Sequence, residues 1–500
     1  MCCLPASACL PVPTKYPKPR LLERMNEFLE QLRKQVPGLL INTDAAHIAQ
    51  ACTDWRKRYS TTALAVLEPM NTRQVQAIVK TCDAFNVAIS TQGGNTGLVG
   101  GAVPVADNNA EKRPHVVLKT GRIREVLKLD ESNLTLTASA GYTLHEIQEY
   151  AEAHGFLFPL SLASEGTCTL GGNLASNAGG VAVLRYGNTR ELCLGLEYVN
   201  AQGELCGDLR GLRKNNTGYD LRHLLIGSEG TLGIVSTACM KVYPAPRSRC
   251  VAWLNVDNIQ TAVDALGFVQ SRLFGELSSY EWMNANAIDV VQTHFPARAP
   301  TSAGAVDHVL AEFTSLGHET GLREQVTQTL EALLEELPGV RNISIAQSGR
   351  DIETFWALRE NISEAQAKEG LNVKHDVACA VSQLPTFHDM ALNDIAEHGV
   401  DVRPVLFGHL GDGNLHFNLS APKGSDAAEF LKQHQTLLNN LVHDAILRCG
   451  GTVSAEHGIG QLKAELLRDI TSASNYAAFK AIKQAMDPKN LLNPGKLVLL

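Results

Sequence analysis

The stretch FGHLGDGNLHFNLS (407–420) sets His409 and His416 seven residues apart around Gly411-Asp412-Gly413-Asn414. A Gly-Asp-Gly-Asn core between apolar arms suits a hairpin turn with positive φ, so the two imidazoles can face each other. Asn418, two residues past His416, projects to the same side of its strand. Further on, SAEHGIG supplies Glu456 and His457. Imidazole and carboxylate together form a donor set for a divalent transition metal, whereas either hairpin histidine alone reads as a hydrogen-bonded strand residue. Arg359 and Ser363 lie four apart in DIETFWALRENISEAQAKEG (351–370) and share a helix face, and Lys374 begins the next strand. A guanidinium fork and an ammonium can hold carboxylates, although Arg359 taken alone reads as a solvated helix position.

Three stretches concentrate glycine: TQGGNTGLVGGAVP (91–104), ASEGTCTLGGNLASNAGGV (163–181) and IGSEGTLGIV (226–235). Glycine lets backbone N–H groups surround an anion without interference from Cβ. One such cluster reads as turns; three in one domain, each bordered by strand and helix patterns, point to a bound dinucleotide. Neither G-x-G-x-x-G opening a helix nor G-x-x-x-x-G-K-[ST] is present, which removes an NAD-type fingerprint and a Walker A loop.

These side chains need a scaffold. PRLLERMNEFLEQLRKQVPG (19–38) carries apolar residues at helical spacing and stops at Pro37-Gly38. From about 60 to 245, short β-branched runs alternate with helical patterns, the mark of an α+β domain. Residues 250 to about 350 read strand, helix, strand, strand, helix, strand, which suggests a ferredoxin-like sheet with helices on one face. The helix 351–370, the strand LNVKHDVACAV, the hairpin, a long helix through LVHDAILRCGG and a section from 452 follow. The expected divisions are an arm over 1–20, a first domain over 21–245, a second over 246–451 and a closing segment over 452–500.

Five hundred residues with 44% apolar content can bury more than one core, and the net charge of −8 carries no footprint for nucleic acid. The twelve cysteines are scattered without a C-x-x-C pair and read as reduced thiols. The first twenty residues, with five prolines, match neither a secretion signal nor a transit peptide, and no apolar run is long enough to span a bilayer. The expected compartment is the cytoplasm, or the mitochondrial matrix in a eukaryote.

The glycine stretches resemble the FAD-binding half of the vanillyl-alcohol-oxidase, or PCMH-type, flavoproteins. Within that superfamily they are similar to the branch of D-2-hydroxyglutarate dehydrogenase, D-lactate dehydrogenase and the glycolate oxidase D subunit. The likeness runs from TDWRKRY at 53 to DPKNLLNPGKLV at 487–498. It implies an α+β architecture: a PCMH-type FAD-binding domain, a ferredoxin-like antiparallel cap and a C-terminal helical segment. It also implies pyrophosphate contacts from Gly93, Gly94, Asn95, Thr96, Gly97 and Leu98. Isoalloxazine and ribityl contacts would come from Glu165, Gly166, Thr167, Gly171, Gly172, Asn173 and Asn177. The adenine side falls to Gly230 through Ile234, and Asn493 is a further cofactor contact. Asn95 stands where covalent members carry a histidine, which implies a dissociable FAD.

The same resemblance implies Zn²⁺, or another divalent metal, on His409, His416 and Glu456. His457 is the implied base, and Arg359, Ser363, Lys374, Asn418 and His457 are the implied substrate contacts. Ser363 replaces a common threonine and His375 a common aromatic. The implied reaction is oxidation of a D-2-hydroxy acid by hydride transfer from Cα to flavin N5. D-2-hydroxyglutarate leads because two cations suit a dicarboxylate; D-lactate, D-malate and glycolate follow. The expected partners are that acid and an electron acceptor (a quinone, an electron-transfer flavoprotein or a soluble carrier), with a homodimer left open. The competing readings are an oxidase of the same fold, a flavin-binding subunit that needs partner chains, and a zinc hydrolase with merely structural glycines.

Overall fold

The computed structural model describes residues 19–105, 113–295 and 306–500. Most of the expected arm lies outside these residues; the leading helix begins at Pro19 and runs to Gln35.

Two sheets build the N-terminal half. The strands Leu40–Asn42, Val66–Glu68, His115–Lys119 and Ala88–Gln92 form the first, in that order, with the last three mutually parallel. Helix Thr72–Phe85 covers it because Val75, Ile78, Val79 and Cys82 recur at i, i+3, i+4 and i+7 and pack on Leu67, Ile89, Val116 and Leu118. Asn71 caps that helix by accepting from Gln74 N–H, and Asn86 ends it in the left-handed region at φ 54°. The second sheet is antiparallel, in the order Leu127–Asp130, Thr135–Ser139, Ile234–Lys241, Cys193–Val199, Leu205–Asp208.

Beyond residue 247 a new sheet starts. Val340–Ile345, Ser248–Val256, Asp307–Ser315 and Leu277–Met283 stand side by side in that order, all neighbours antiparallel, as the ferredoxin-like pattern predicts. Three features depart from the sequence reading. A helix, Ala285–His294, is inserted between the second and third strands and capped by Asn284. Helices cover both faces of the sheet: Ile259–Leu273 and Glu319–Glu336 pack on one, while Ala285–His294 and the pair Gly349–Glu360 and Ile362–Glu369 pack on the other. The unbroken burial of Cys250 through Val256 shows why, since a strand apolar on both sides needs cover on both. Finally, the expected 351–370 helix is two helices that meet at Asn361.

The histidine hairpin extends this sheet. Arg403–Gly408 pairs with Leu277–Met283 through Trp282 opposite Gly408, and Asn414–Ser420 continues outward, flanked by Asn372–Val373 and Asp376–Ala378. Its turn packs on the first half of the chain: a Cβ at Gly411 would sit 2.7 Å from Leu184 Cδ2. From 452 the chain returns to the N-terminal half. Leu492 pairs with Ile89, and Lys483 Nζ donates to Thr231 and Leu492 carbonyls and to Asp487. None of the described cysteines forms a disulfide, and no described helix is long and apolar enough to cross a membrane.

Candidate active site

A cleft of about 960 Å³, counting the part open to solvent, runs between the glycine stretches. Gly93, Gly94, Asn95, Thr96 and Gly97 line it from the first, Gly171, Gly172 and Asn173 from the second, and Gly230 from the third. The loops touch so closely that side chains are excluded: a Cβ at Gly94 would lie 2.1 Å from the Thr167 carbonyl oxygen, and one at Gly93 2.5 Å from Thr169 Oγ1. Two polar atoms in the wall, Thr91 Oγ1 and Asn173 Nδ2, are buried without a protein partner, as expected for groups that bond to a ligand. The cleft therefore fits a dinucleotide.

Other expected cofactor residues stand behind this wall. Strand alternation turns Gly233 and Val235 toward the cleft and sends Ile234 into the core, where it can only support the wall. Val99, rather than Leu98, faces the space. Asn95, itself part of the wall, donates from Nδ2 to the Thr53 carbonyl, while Asn177 closes helix Leu170–Ser176 in the left-handed region and its Oδ1 accepts from Arg190 N–H. Asn493 spends its whole side chain on protein: Nδ2 donates to the Gly101 and Glu229 carbonyls, and Oδ1 accepts from Lys496. Glu165, Gly166 and Thr167 lie on the loop that rests on Gly94 and are outside the cleft wall.

The second centre abuts the first. His409 Nε2 lies 3.6 Å from Glu456 Oε1 and His416 Nε2 3.8 Å from Glu456 Oε2. Donors about 2.1 Å from a shared tetrahedral ion lie roughly 3.4 Å apart; each imidazole is near that distance from its own oxygen of Glu456, while the two ring centres are 6.0 Å apart, so one cation on all three needs the histidines to draw together. Asp376 and His457 also come near: with His416 and Glu456 they offer donor atoms within 4.8 Å of one another. Asp376, however, is already engaged. Its Oδ2 accepts from the Glu456 and His457 N–H groups, and Oδ1 accepts from Asn414 Nδ2. His457 Nδ1 stands 3.4 Å from Asp376 Oδ2, and the same histidine lines the flavin cleft.

Charge sharpens these roles. Burial pushes the His457 imidazole below its ordinary value, so the ring is neutral and able to take a proton. Burial works in the same sense on His409, but the Glu281 and Glu456 carboxylates outweigh it and hold that ring at about 9. Burial also opposes the charge on Glu281, yet His409 and Arg359 bring its carboxyl down to about 2.

Arg359 is buried, with Nε donating to Glu281 and its guanidinium carbon 4.9 Å from the Phe407 ring centre. Lys374 is reached by solvent, but protein crowds it. Burial, reinforced by Arg56, lowers its ammonium from 10.5 to about 8. Asn418 is buried and donates to Gln366 Oε1. Ser363 is exposed, because the break at Asn361 turns the buried stripe of the second helix through Ile362, Ala365 and Gln366. Sequence reasoning missed Arg56, Glu281, Gln366 and Asp376. Gln366, seven past Arg359, and Asp376, two past Lys374, each carried a spacing signal.

Residues 63–207 match the FAD binding domain family, and residues 245–497 match the C-terminal domain of FAD linked oxidases. The D-2-hydroxyglutarate dehydrogenase of Xanthomonas citri pv. viticola is 36% identical over 468 residues, 93% of this chain and 96% of that protein. The mitochondrial D-2-hydroxyglutarate dehydrogenase of Arabidopsis thaliana is 36% identical over 457 residues, 91% and 78% of the two chains. A p-cresol methylhydroxylase structure shares the fold, with TM-score 0.73 at 16% identity over 95% of this chain and 97% of that one. Fold and cleft thus define an FAD-dependent oxidoreductase. Within that class the chain belongs to the FAD-linked oxidase family, on the branch that holds the D-2-hydroxyglutarate dehydrogenases.

Proposed function

We propose that the protein oxidises a D-2-hydroxy acid, D-2-hydroxyglutarate foremost, to the 2-oxo acid, using dissociable FAD and a divalent cation on His409, His416 and Glu456. The observation that carries this reading is the place of His457. It lines the flavin cleft, follows Glu456 in sequence, and has its ring 6.1 Å from that of His416. A base at that point can serve a hydroxyl lying between cation and flavin.

When bound, FAD accepts the hydride and the cation acts as a Lewis acid toward the hydroxyl. The remaining work belongs to the chain. Arg359 and Lys374 hold carboxylates, with Arg56 adding positive charge near Lys374; His457 takes the hydroxyl proton at Nε2; Asp376 keeps that ring oriented. An electron acceptor of the quinone, electron-transfer flavoprotein or soluble-carrier class belongs to the same reading. The hydrolase reading of the donor set is set aside, because the chain is a flavin oxidoreductase.

The test is anaerobic addition of D-2-hydroxyglutarate, D-malate, D-lactate and glycolate to the purified flavoprotein, with and without prior chelation. D-2-hydroxyglutarate should bleach the flavin fastest, and chelation should abolish bleaching. A flavin that none of the four reduces would end the substrate assignment.

Lys374 sets a pH limit. Its ammonium binds a carboxylate only when protonated, and in the free protein that form declines above about pH 8. KM for the D-acid should be flat below that pH and climb by about tenfold per unit above it, because the protonated fraction falls tenfold per unit. Lys374→Met should have a higher KM below that pH, lose this slope, and be met by the wild type as the pH rises. An unchanged slope in the variant removes Lys374 from carboxylate binding.

A further inference from the structure

Glu281 is a charged residue inside the otherwise uncharged strand Leu277–Met283, and none of it reaches solvent. It stands opposite Leu310 on the neighbouring strand, in a layer where an apolar side chain would pack without cost. A carboxylate kept there must therefore satisfy something else. Oε1 accepts from His409 Nδ1 at 2.7 Å, and Oε2 accepts from Arg359 Nε at 2.8 Å. An ionised carboxylate can only accept, so it holds a proton on His409 Nδ1 and makes Nε2, the atom that looks toward Glu456, the nitrogen that would give up its proton to a cation. By occupying Nε of Arg359, it leaves the two terminal nitrogens as a fork, with the guanidinium settled against Phe407.

We propose that Glu281 is a positioning residue that ties the metal-binding His409 to the carboxylate-binding Arg359, so that cation and acid are bound as a coupled pair. This rests on the reading of the site given above. The two oxygens of one buried group set the distance between a metal ligand and a substrate clamp. If Glu281 is changed, both lose their orientation. A residue serving only to fill the sheet would affect neither binding event selectively.

The experiment uses the full-length flavoprotein as wild type, Glu281→Gln, Arg359→Met and the double variant. Zn²⁺ affinity is measured by competition with a fluorescent chelator, KM and kcat for D-2-hydroxyglutarate at saturating Zn²⁺, and FAD content and melting temperature as controls. Glu281→Gln should keep its FAD, bind Zn²⁺ about 10–100-fold more weakly, and show a raised KM even when zinc is saturating. Arg359→Met should raise KM and leave zinc affinity in the absence of acid unchanged. In the double variant the Arg359 change should add less to KM than it does in the wild type, because its anchor is already gone.

Wild-type zinc affinity in Glu281→Gln, or KM penalties that simply multiply, overturns the proposal. A wild-type protein that binds no zinc at all overturns it too, but through the metal reading itself, a result distinct from the other two. Should Glu281→Gln not fold, Glu281→Asp keeps the charge and draws the carboxylate back by one methylene; it should weaken both ligands, and no change in either ends the proposal.

Discussion

His416→Ala is expected to give a yellow protein whose kcat/KM for D-2-hydroxyglutarate is about 10³-fold below wild type. The flavin should stay because His416 belongs to the cap hairpin, with its ring 4.9 Å from Phe407, and is absent from the cleft wall. The activity should fall because a Lewis acid at a developing alkoxide is worth several kcal/mol, and each 1.36 kcal/mol is a factor of ten in rate. Truncation also removes one of the two imidazoles that stand within 4 Å of Glu456. Chelation of the wild type should reproduce the loss, and added Zn²⁺ should restore the wild type but not the variant. Full turnover by a chelated wild type, with metal content confirmed near zero, would refute the assignment of His409, His416 and Glu456 as ligands.

The second large effect concerns His457. Replacing it by glutamine should cost about 10²–10⁴-fold in kcat, the usual range for a general base, with a smaller change in KM. Zinc and FAD should both be retained. Asp376→Asn should fall between wild type and this variant. The backbone N–H groups of Glu456 and His457 both donate to Asp376 Oδ2, and an asparagine that presents its amide nitrogen there repels two donors. Stopped-flow reduction of the flavin separates these effects from slow product release. A His457→Gln protein reduced at the wild-type rate would move the base elsewhere.

Much of the scaffold was legible because it rests on local pattern. The first helix, the capped 72–85 helix and the four cap strands follow from spacing and capping residues. The inserted helix Ala285–His294 was missed, although Asn284 with Ile288 and Val291 gave it a cap and a stripe; ten residues between strong strands read easily as connection. The closing of the cap sheet by the hairpin could not be read, because pairing of Trp282 with Gly408 joins segments more than a hundred residues apart.

The site divides the same way. His409, His416 and Glu456 were expected from chemistry and from resemblance, and the structure brings each imidazole within 4 Å of the carboxylate. Glu281 was read as one letter of a core strand, though a glutamate among Ser279, Tyr280, Trp282 and Met283 was itself a signal that a buried cation waited nearby. Ile234 stands in the core for a plainer reason, since resemblance marks a segment and strand alternation decides which of its residues face the cleft.

The return of the chain after residue 452 has a consequence for synthesis. Ile89 waits for Leu492, and the carbonyls of Gly101 and Glu229 wait for Asn493, contacts that span 264 to 403 positions of sequence. On the ribosome the flavin fold is thus translated first and completed last. Its parallel strand edge stays unpaired while the cap is being made, and such edges invite chaperones or aggregation. The cleft is complete only once the closing segment, which brings His457 to its wall, has docked.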